Sequence, residues 1–83
     1  MQNTPSTQSS LAEVPSGEVA TIVSLFGGNG FNRRLTSLGF TPGAELRIVQ
    51  NYGHGPMIVS IRDSQIALGR GEAAKIIVQR VKE

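Results

Sequence analysis

Cysteine and tryptophan are absent from this chain of 83 residues, and tyrosine occurs once. Without cysteine there are no disulfides, no thiolate metal ligands and no cysteine nucleophile, which disfavours a stapled secreted scaffold and suits a reducing cytoplasm. No apolar run approaches the roughly 18–20 residues that span a bilayer, and the start MQNTPSTQSS lacks the features of a signal peptide. We therefore expect a cytoplasmic protein that contacts a membrane only through a partner.

Charge is sparse and unevenly distributed. Eight Lys and Arg against six Asp and Glu give a net charge of +2, so the pI of 9.7 reflects few acidic groups more than a dense basic patch. Residues 1–30 carry only Glu13 and Glu18, whereas all eight basic side chains follow in residues 31–83. One side of the folded protein is therefore expected to be mildly basic.

The chain is long enough for one small domain with a single core, and it has no room for a second. Residues 1–10 contain no charge and no aromatic ring, which predicts a flexible tail before a domain at 11–83. Runs rich in β-branched residues, separated by turn residues, predict strands. They are Glu18–Phe26, Glu45–Tyr52, Met57–Arg62, Gln65–Leu68 and Ile76–Val81.

One short α-helix is predicted between the first two strands. Asn29 is a candidate N-cap, and Phe31, Leu35 and Leu38 recur at i, i+4 and i+7 on one face. A further helical turn is expected within Gly69–Lys75, before the last strand. The pattern predicts a mainly β fold, a small barrel of about five strands, with the apolar helix face packed into its mouth.

The end of this helix has strong stop signals. Gly39 fits the left-handed position after a helix, where it brings Phe40 against Leu35 in a Schellman cap. Pro42 and Gly43 then occupy the second and third positions of Thr41-Pro-Gly-Ala44, as a type II turn requires. The helix is therefore expected to stop at Gly39 and the chain to turn into the second strand.

These motifs recur in an order that resembles the ferrous iron transport protein A (FeoA) family, which has an SH3-like β-barrel. The resemblance covers most of 11–81. It is carried by Pro15-Ser-Gly-Glu18, Arg34-Leu35, Leu38-Gly39, Thr41-Pro42-Gly43, Gly55-Pro56, Ile66-Ala-Leu68, Glu72-Ala73, Ile76 and Val78. One departure is Gly69, where many members of the family have a basic residue, and Arg70 is a candidate to replace it.

The resemblance implies a small regulatory accessory protein that binds the cytosolic part of the ferrous iron permease FeoB. Similar domains are also fused to metal-dependent repressors, so a metal-sensing module is an alternative. Oligomeric state is left open. The family resemblance does not by itself imply that the protein binds iron, and this question is left open as well.

Catalytic and ligand-binding patterns are missing. The only histidine, His54, and the only aspartate, Asp63, define no Ser/His/Asp relay, and no spacing such as His-x-x-Glu offers a metal site. The glycines before the helix fit neither GxGxxG nor a P-loop. We expect no enzyme activity, no metal ligands and no cofactor.

A partner surface is the more economical use of the remaining features. Candidate contacts are Arg33, Arg34, Phe40, Tyr52, His54 and Met57, which would form an apolar patch with a basic border. The alternative is a nucleic-acid-binding barrel that uses Arg33, Arg34, Arg47, Arg62 and Arg70. Because the chain has few rings for stacking on bases, we expect no nucleic acid.

Overall fold

A computed structural model describes residues 8–81, in which six strands, a 3₁₀ turn and two helices are present. In chain order they are β1 (Gln8–Ser10), the 3₁₀ turn (Leu11–Glu13), β2 (Val19–Leu25), α1 (Asn29–Ser37), β3 (Glu45–Gln50), β4 (Met57–Ile61), β5 (Ser64–Leu68), α2 (Arg70–Ala73) and β6 (Ile76–Arg80). No helix in this part of the chain is long and apolar enough to cross a membrane.

All strand neighbours in the sheet are antiparallel, in the order β1-β6-β2-β3-β4-β5. The sheet surrounds a single core of buried apolar side chains. The largest of them are Phe40, Leu11, Ile22, Leu35, Ile48, Met57, Ile61, Leu68 and Ile76. The strands β1 and β5 are the two ends of the sheet, and no ladder joins them within residues 8–81.

Alternation along the central strands explains why one face of the sheet is buried. Leu46 and Ile48 of β3 point inward, as do Met57, Val59 and Ile61 of β4, while the residues between them are more exposed. Successive side chains of a strand point to opposite faces, so this spacing buries one apolar row per strand. The five predicted strands are confirmed, with ends that differ by one or two residues.

The sixth strand, β1, lies inside the stretch that was predicted to be a flexible tail. Gln8 to Ser10 pair with β6, with Gln8 opposite Gln79 and Ser10 opposite Ile77. The polar composition of Gln8–Ser10 does not predict a strand. The free edge of β6, and not the strand propensity of these side chains, favours the pairing. The predicted tail boundary is corrected accordingly; its residues 1–7 lie outside the described part of the chain.

The start of α1 also differs from the prediction. Gly28 is the N-cap, Asn29 is already helical, and no side chain caps this end. Gly27 has a steric role, since a Cβ atom there would lie 2.0 Å from Cδ2 of Phe31. Leu38 was expected to pack inward with Leu35, yet it is 40% exposed because α1 ends beside it.

The predicted helix stop is confirmed in detail. Gly39 has φ +104°, its N–H donates to Thr36 O at 3.0 Å, and the N–H of Phe40 donates to Leu35 O at 2.9 Å. These two bonds define a Schellman cap. Gly43 has φ +90°, and the N–H of Ala44 donates to Thr41 O at 2.9 Å, as in the predicted type II turn.

Candidate partner-binding surface

The loop between β3 and β4, residues 51–56, is fixed by its first residue. The side-chain amide of Asn51 donates to the carbonyls of Ala12 at 3.0 Å and Val14 at 2.8 Å. Its Oδ1 atom accepts from the N–H of Gly53 at 3.0 Å, and its own N–H donates to Ser16 Oγ at 2.7 Å. Asn51 therefore ties the loop to the segment that follows the 3₁₀ turn.

Arg70, at the start of α2, holds the same loop from the other side. Its Nη1 atom donates to Asn51 Oδ1 at 3.0 Å and to Gly55 O at 3.3 Å, and its Nη2 atom donates to Ala12 O at 2.6 Å. A guanidinium suits this position because it offers several donors in a fixed plane. Arg70 thus joins three segments of the chain, and this use occupies its charge within the fold.

Tyr52 and His54 lie beyond this fixed base. Tyr52 is 70% exposed, and His54 is exposed as well. Gly53 and Gly55, with φ +87° and +71°, allow the sharp backbone turns that present the two rings. An exposed aromatic side chain on a loop held at its base is typical of a contact site.

Helix α1 is joined to α2 by a pair of charged side chains. Arg34 donates from Nη2 to Oε2 of Glu72. The other oxygen of Glu72 accepts the N–H of Gly69 at 3.1 Å. The Gly69 N–H and then the Arg34 guanidinium hold the pKa of Glu72 below its ordinary value, against an opposing effect of desolvation.

The short helix α2 therefore lies between the two parts of the predicted surface. Through Glu72 it contacts Arg34 of α1, and through Arg70 it contacts Gly55 of the loop. Arg33, next to Arg34, is exposed, and its side chain has no hydrogen bond or ion pair within residues 8–81. The loop rings and the α1 arginines are thus the two flanks of α2, not one patch in mutual contact.

Two of the six candidate contacts do not belong to any surface. Phe40 and Met57 are completely buried in the core, so the expectation that they contact a partner is corrected. Phe40 is drawn inward by the Schellman cap, and Met57 is the first inward residue of β4. The candidates that the structure leaves accessible are Arg33, Arg34, Tyr52 and His54.

Sequence reasoning missed the exposure of Phe26, which is 67% exposed. Its N–H donates to Lys75 O at 2.8 Å, and Nζ of Lys75 lies 5.6 Å from the ring centroid of Phe31. A signal was available, because Phe26 directly follows β2 and precedes two glycines, where a side chain has little to pack against. Among residues 8–81, the exposed phenylalanine and tyrosine rings are therefore Tyr52, in the loop after β3, and Phe26, between β2 and α1.

The positions of the other polar groups bear on the alternatives. His54 and Asp63 lie in loops at opposite ends of β4, so they do not form a relay. Within residues 8–81, no three His, Asp or Glu side chains are grouped as metal ligands would be. Of the arginines considered for nucleic acid, Arg34 and Arg70 are engaged in the contacts just described.

Comparison with known proteins identifies the fold and the family. The profile of the FeoA domain matches residues 9–80. A Methanocaldococcus jannaschii protein named Fe(2+) transport protein A is 39% identical over 69 residues, which are 83% of this chain and 83% of that protein. A manganese-dependent transcriptional repressor, 21% identical, has a TM-score of 0.81 over 96% of this chain and 45% of its own, a likeness of fold alone.

Two solved structures are similar in both sequence and fold. The crystal structure of an iron uptake regulatory protein (FeoA) is 30% identical with a TM-score of 0.83, covering 89% of this chain and 99% of that one. Stenotrophomonas maltophilia FeoA complexed with zinc, described as a prokaryotic SH3 domain protein, is 33% identical with a TM-score of 0.73, covering 82% and 86%. The predicted SH3-like fold is confirmed, and the chain belongs to the FeoA domain family.

Proposed function

We propose that this chain is a cytoplasmic accessory protein of ferrous iron transport, which regulates a FeoB-type permease by binding its cytosolic part. The family membership supports the iron transport role. The observation that carries the binding role is the loop at 51–56, where Tyr52 and His54 are exposed on a base fixed by Asn51 and Arg70. The chain acts through contact and performs no chemistry of its own.

A loop fixed in advance favours binding for an energetic reason. Ordering a flexible loop on association costs free energy, which offsets part of the favourable interaction with the partner. Here Asn51 and Arg70 hold the loop base through hydrogen bonds to Ala12, Val14 and Gly55. Tyr52 can therefore be buried by a partner at a small ordering cost, and burial of one tyrosine ring supplies much of the affinity of a small interface.

The flank formed by α1 sets the electrostatic preference of the surface. Arg33 is an exposed guanidinium without an intramolecular partner among residues 8–81. Arg34 is half-exposed, and its charge is partly neutralised by the ion pair with Glu72. A complementary surface would carry carboxylates opposite Arg33 and an apolar recess for Tyr52, since charged and aromatic contacts pair with their complements across interfaces.

The test combines association with transport. Affinity capture with this chain is performed in cells that express the permease, and ferrous iron uptake is measured in a strain that lacks this chain. We expect capture of the permease and altered uptake that is restored by the wild-type gene. Normal uptake together with no association would contradict the proposal.

Matched variants locate the surface. Tyr52→Ala and Arg33→Ala remove exposed side chains that have no hydrogen bond within the described residues, so the fold should persist. Gln79→Ala, exposed on β6, is the control. We expect the first two to weaken capture roughly tenfold or more and the control to leave it unchanged. Equal capture by all three would place the contact elsewhere.

A further inference from the structure

Within residues 8–81, β5 is an end strand of the sheet, and its only ladder is with β4. Its five residues, Ser64–Leu68, pair with Ile61–Met57 through a hairpin of two loop residues. In an antiparallel ladder, alternate residues direct their N–H and C=O groups to the neighbouring strand, and the others direct them away. The hydrogen bonds of β3 and β4 therefore determine which residues of β5 face outward.

The alternation is fixed by the hydrogen bonds of Ile48 in β3. Its N–H donates to Glu18 O at 2.8 Å, and its C=O accepts the N–H of Gly17 at 2.7 Å, so Ile48 bonds toward β2. By alternation Arg47 bonds toward β4, where it is paired with Ser60. The main-chain N–H and C=O groups of Ser60 therefore point toward β3 and away from β5. Those of its β5 partner, Gln65, point away from β4, toward the open edge of the sheet.

The free groups of β5 therefore belong to Gln65 and Ala67. Ser64, Ile66 and Leu68 bond to β4, as a two-residue hairpin closed by Ile61 and Ser64 also requires. Within residues 8–81 no main-chain hydrogen bond outside the ladders involves Gln65 or Ala67. Both residues are exposed, so two N–H and two C=O groups are open to another strand.

The strand also lacks the features that usually protect a sheet edge. Proteins prevent edge-to-edge pairing with charged side chains, proline or a bulge. Ser64–Leu68 has the sequence SQIAL, without charge or proline, and its ladder with β4 has no register shift. Between its two free positions lies Ile66, which packs only partly against the core.

We propose that β5 pairs antiparallel with β5 of a second copy of this chain, with Ile66 opposite Ile66 at the two-fold axis. In this register Gln65 lies opposite Ala67 of the second copy, so each free N–H donates to a free C=O. The two Ile66 side chains become a non-hydrogen-bonded pair, the closest kind of cross-strand contact, and cover each other. No charged strand residue is brought against another, because β5 has none.

The dimer is expected to be weak. Two five-residue edges bury far less than the roughly 1,200 Å² at the lower limit of stable protein interfaces. The association should therefore appear at a dissociation constant on the order of 100 µM or higher. It uses neither Tyr52 nor Arg33, so it is independent of the permease contact.

The test is sedimentation velocity and amide NMR of the purified full chain from about 10 µM to about 1 mM, the range in which such a constant is visible. We expect the sedimentation coefficient to rise with concentration and the amide signals of Gln65 and Ala67 to shift most. Ala67→Pro removes an outward N–H without removing a bond to β4 and should keep the chain monomeric. Ala67→Lys places a charge at the edge and should do the same.

Ser60→Lys is the matched control, because it adds the same charge to the outward face of β4, one strand from the edge. It should dimerise like the wild type. A monomer at every concentration, or a dimer unaffected by both Ala67 variants, would overturn the proposal. Shifts confined to residues outside β5, or binding of this edge only to a strand from another protein, would overturn it too.

Discussion

Arg70 donates a hydrogen bond of 3.0 Å to Asn51, although the two residues are 19 positions apart in the chain. Each of them also donates to Ala12 O, so α2, the β3–β4 loop and the 3₁₀ turn meet at one carbonyl. Tyr52 and His54 project from a loop that is held by these bonds. The proposed binding surface and the stability of this end of the barrel therefore depend on the same two side chains.

Loss of the Asn51 side chain should destabilise the fold. Asn51→Ala leaves the carbonyl of Val14 and the N–H of Gly53 without their partner, and each unpaired group costs about 1–3 kcal/mol when it stays desolvated. We expect a decrease of about 2–3 kcal/mol in the free energy of unfolding, measured by urea titration. Gln79→Ala should change it by less than about 0.5 kcal/mol. Equal values for both variants would show that the Asn51 bonds do not fix the loop.

Arg70 should not be replaceable by lysine. Arg70→Lys keeps the charge, but a single ammonium cannot reach Asn51 Oδ1, Gly55 O and Ala12 O together with the geometry of a guanidinium. We expect a loss of about 1–2 kcal/mol in unfolding free energy and faster amide exchange at Tyr52 to Gly55. Unchanged exchange in the loop would contradict the anchoring role of Arg70.

The two glycines on either side of the α1 start should respond oppositely to alanine. Gly27→Ala would bring a Cβ to 2.0 Å from the Phe31 ring, and we expect a loss of about 1–3 kcal/mol. Gly30→Ala meets no atom within 4 Å and lies inside α1, so it should stabilise by about 0.5 kcal/mol. Thermal unfolding measures both, and Phe31→Ala, which removes the Cγ and Cδ2 atoms nearest to the new Cβ, should reduce the cost of Gly27→Ala. A similar effect of both alanines would exclude the steric account.

The contacts of Glu72 with Gly69 and Arg34 should make the free energy of unfolding depend on pH. The Gly69 N–H and Arg34 lower the pKa of Glu72 from its ordinary value of 4.5 in the folded chain. A lowered pKa contributes stability above the unfolded value, and the contribution declines as the pH falls through the folded value. The free energy of unfolding of the wild type should therefore exceed that of Glu72→Gln by up to about 1 kcal/mol at pH 7. Solvent screening of this partly exposed pair sets that limit.

The measurement is the difference in unfolding free energy between wild type and Glu72→Gln as a function of pH. It should be largest near neutral pH and shrink below the ordinary carboxyl pKa of 4.5. High salt should reduce it as well, because Arg34 and Glu72 are both partly exposed. A difference that does not change with pH would contradict this assignment.

Local chemistry made much of the fold predictable. Gly39 and Gly43 require positive φ in their cap and turn, so the end of α1 could be read from short-range sequence signals. The β-branched runs located five strands. By contrast β1 forms because β6 offers a free edge, and Leu38 is exposed because the helix ends there. Both outcomes depend on tertiary contacts that no local pattern encodes.

The surface was harder to predict than the fold. Met57 and Phe40 have the residue types of a contact patch, but strand alternation and the Schellman cap turn them inward. The anchoring of Asn51 and Arg70 was not visible either, since their partners are distant main-chain carbonyls. The exposure of Tyr52 and His54 could be predicted, because both lie beside glycines in a turn.

The most direct test of the proposed function is NMR titration of the labelled chain with the purified cytosolic part of the permease. We expect saturable shifts in the amides from Tyr52 to Gly55 and at Arg33, and their loss with Tyr52→Ala, while the β5 amides move only with the concentration of this chain. Absence of any shift at excess permease domain, or saturable shifts confined to β1 and β6, would contradict the proposal.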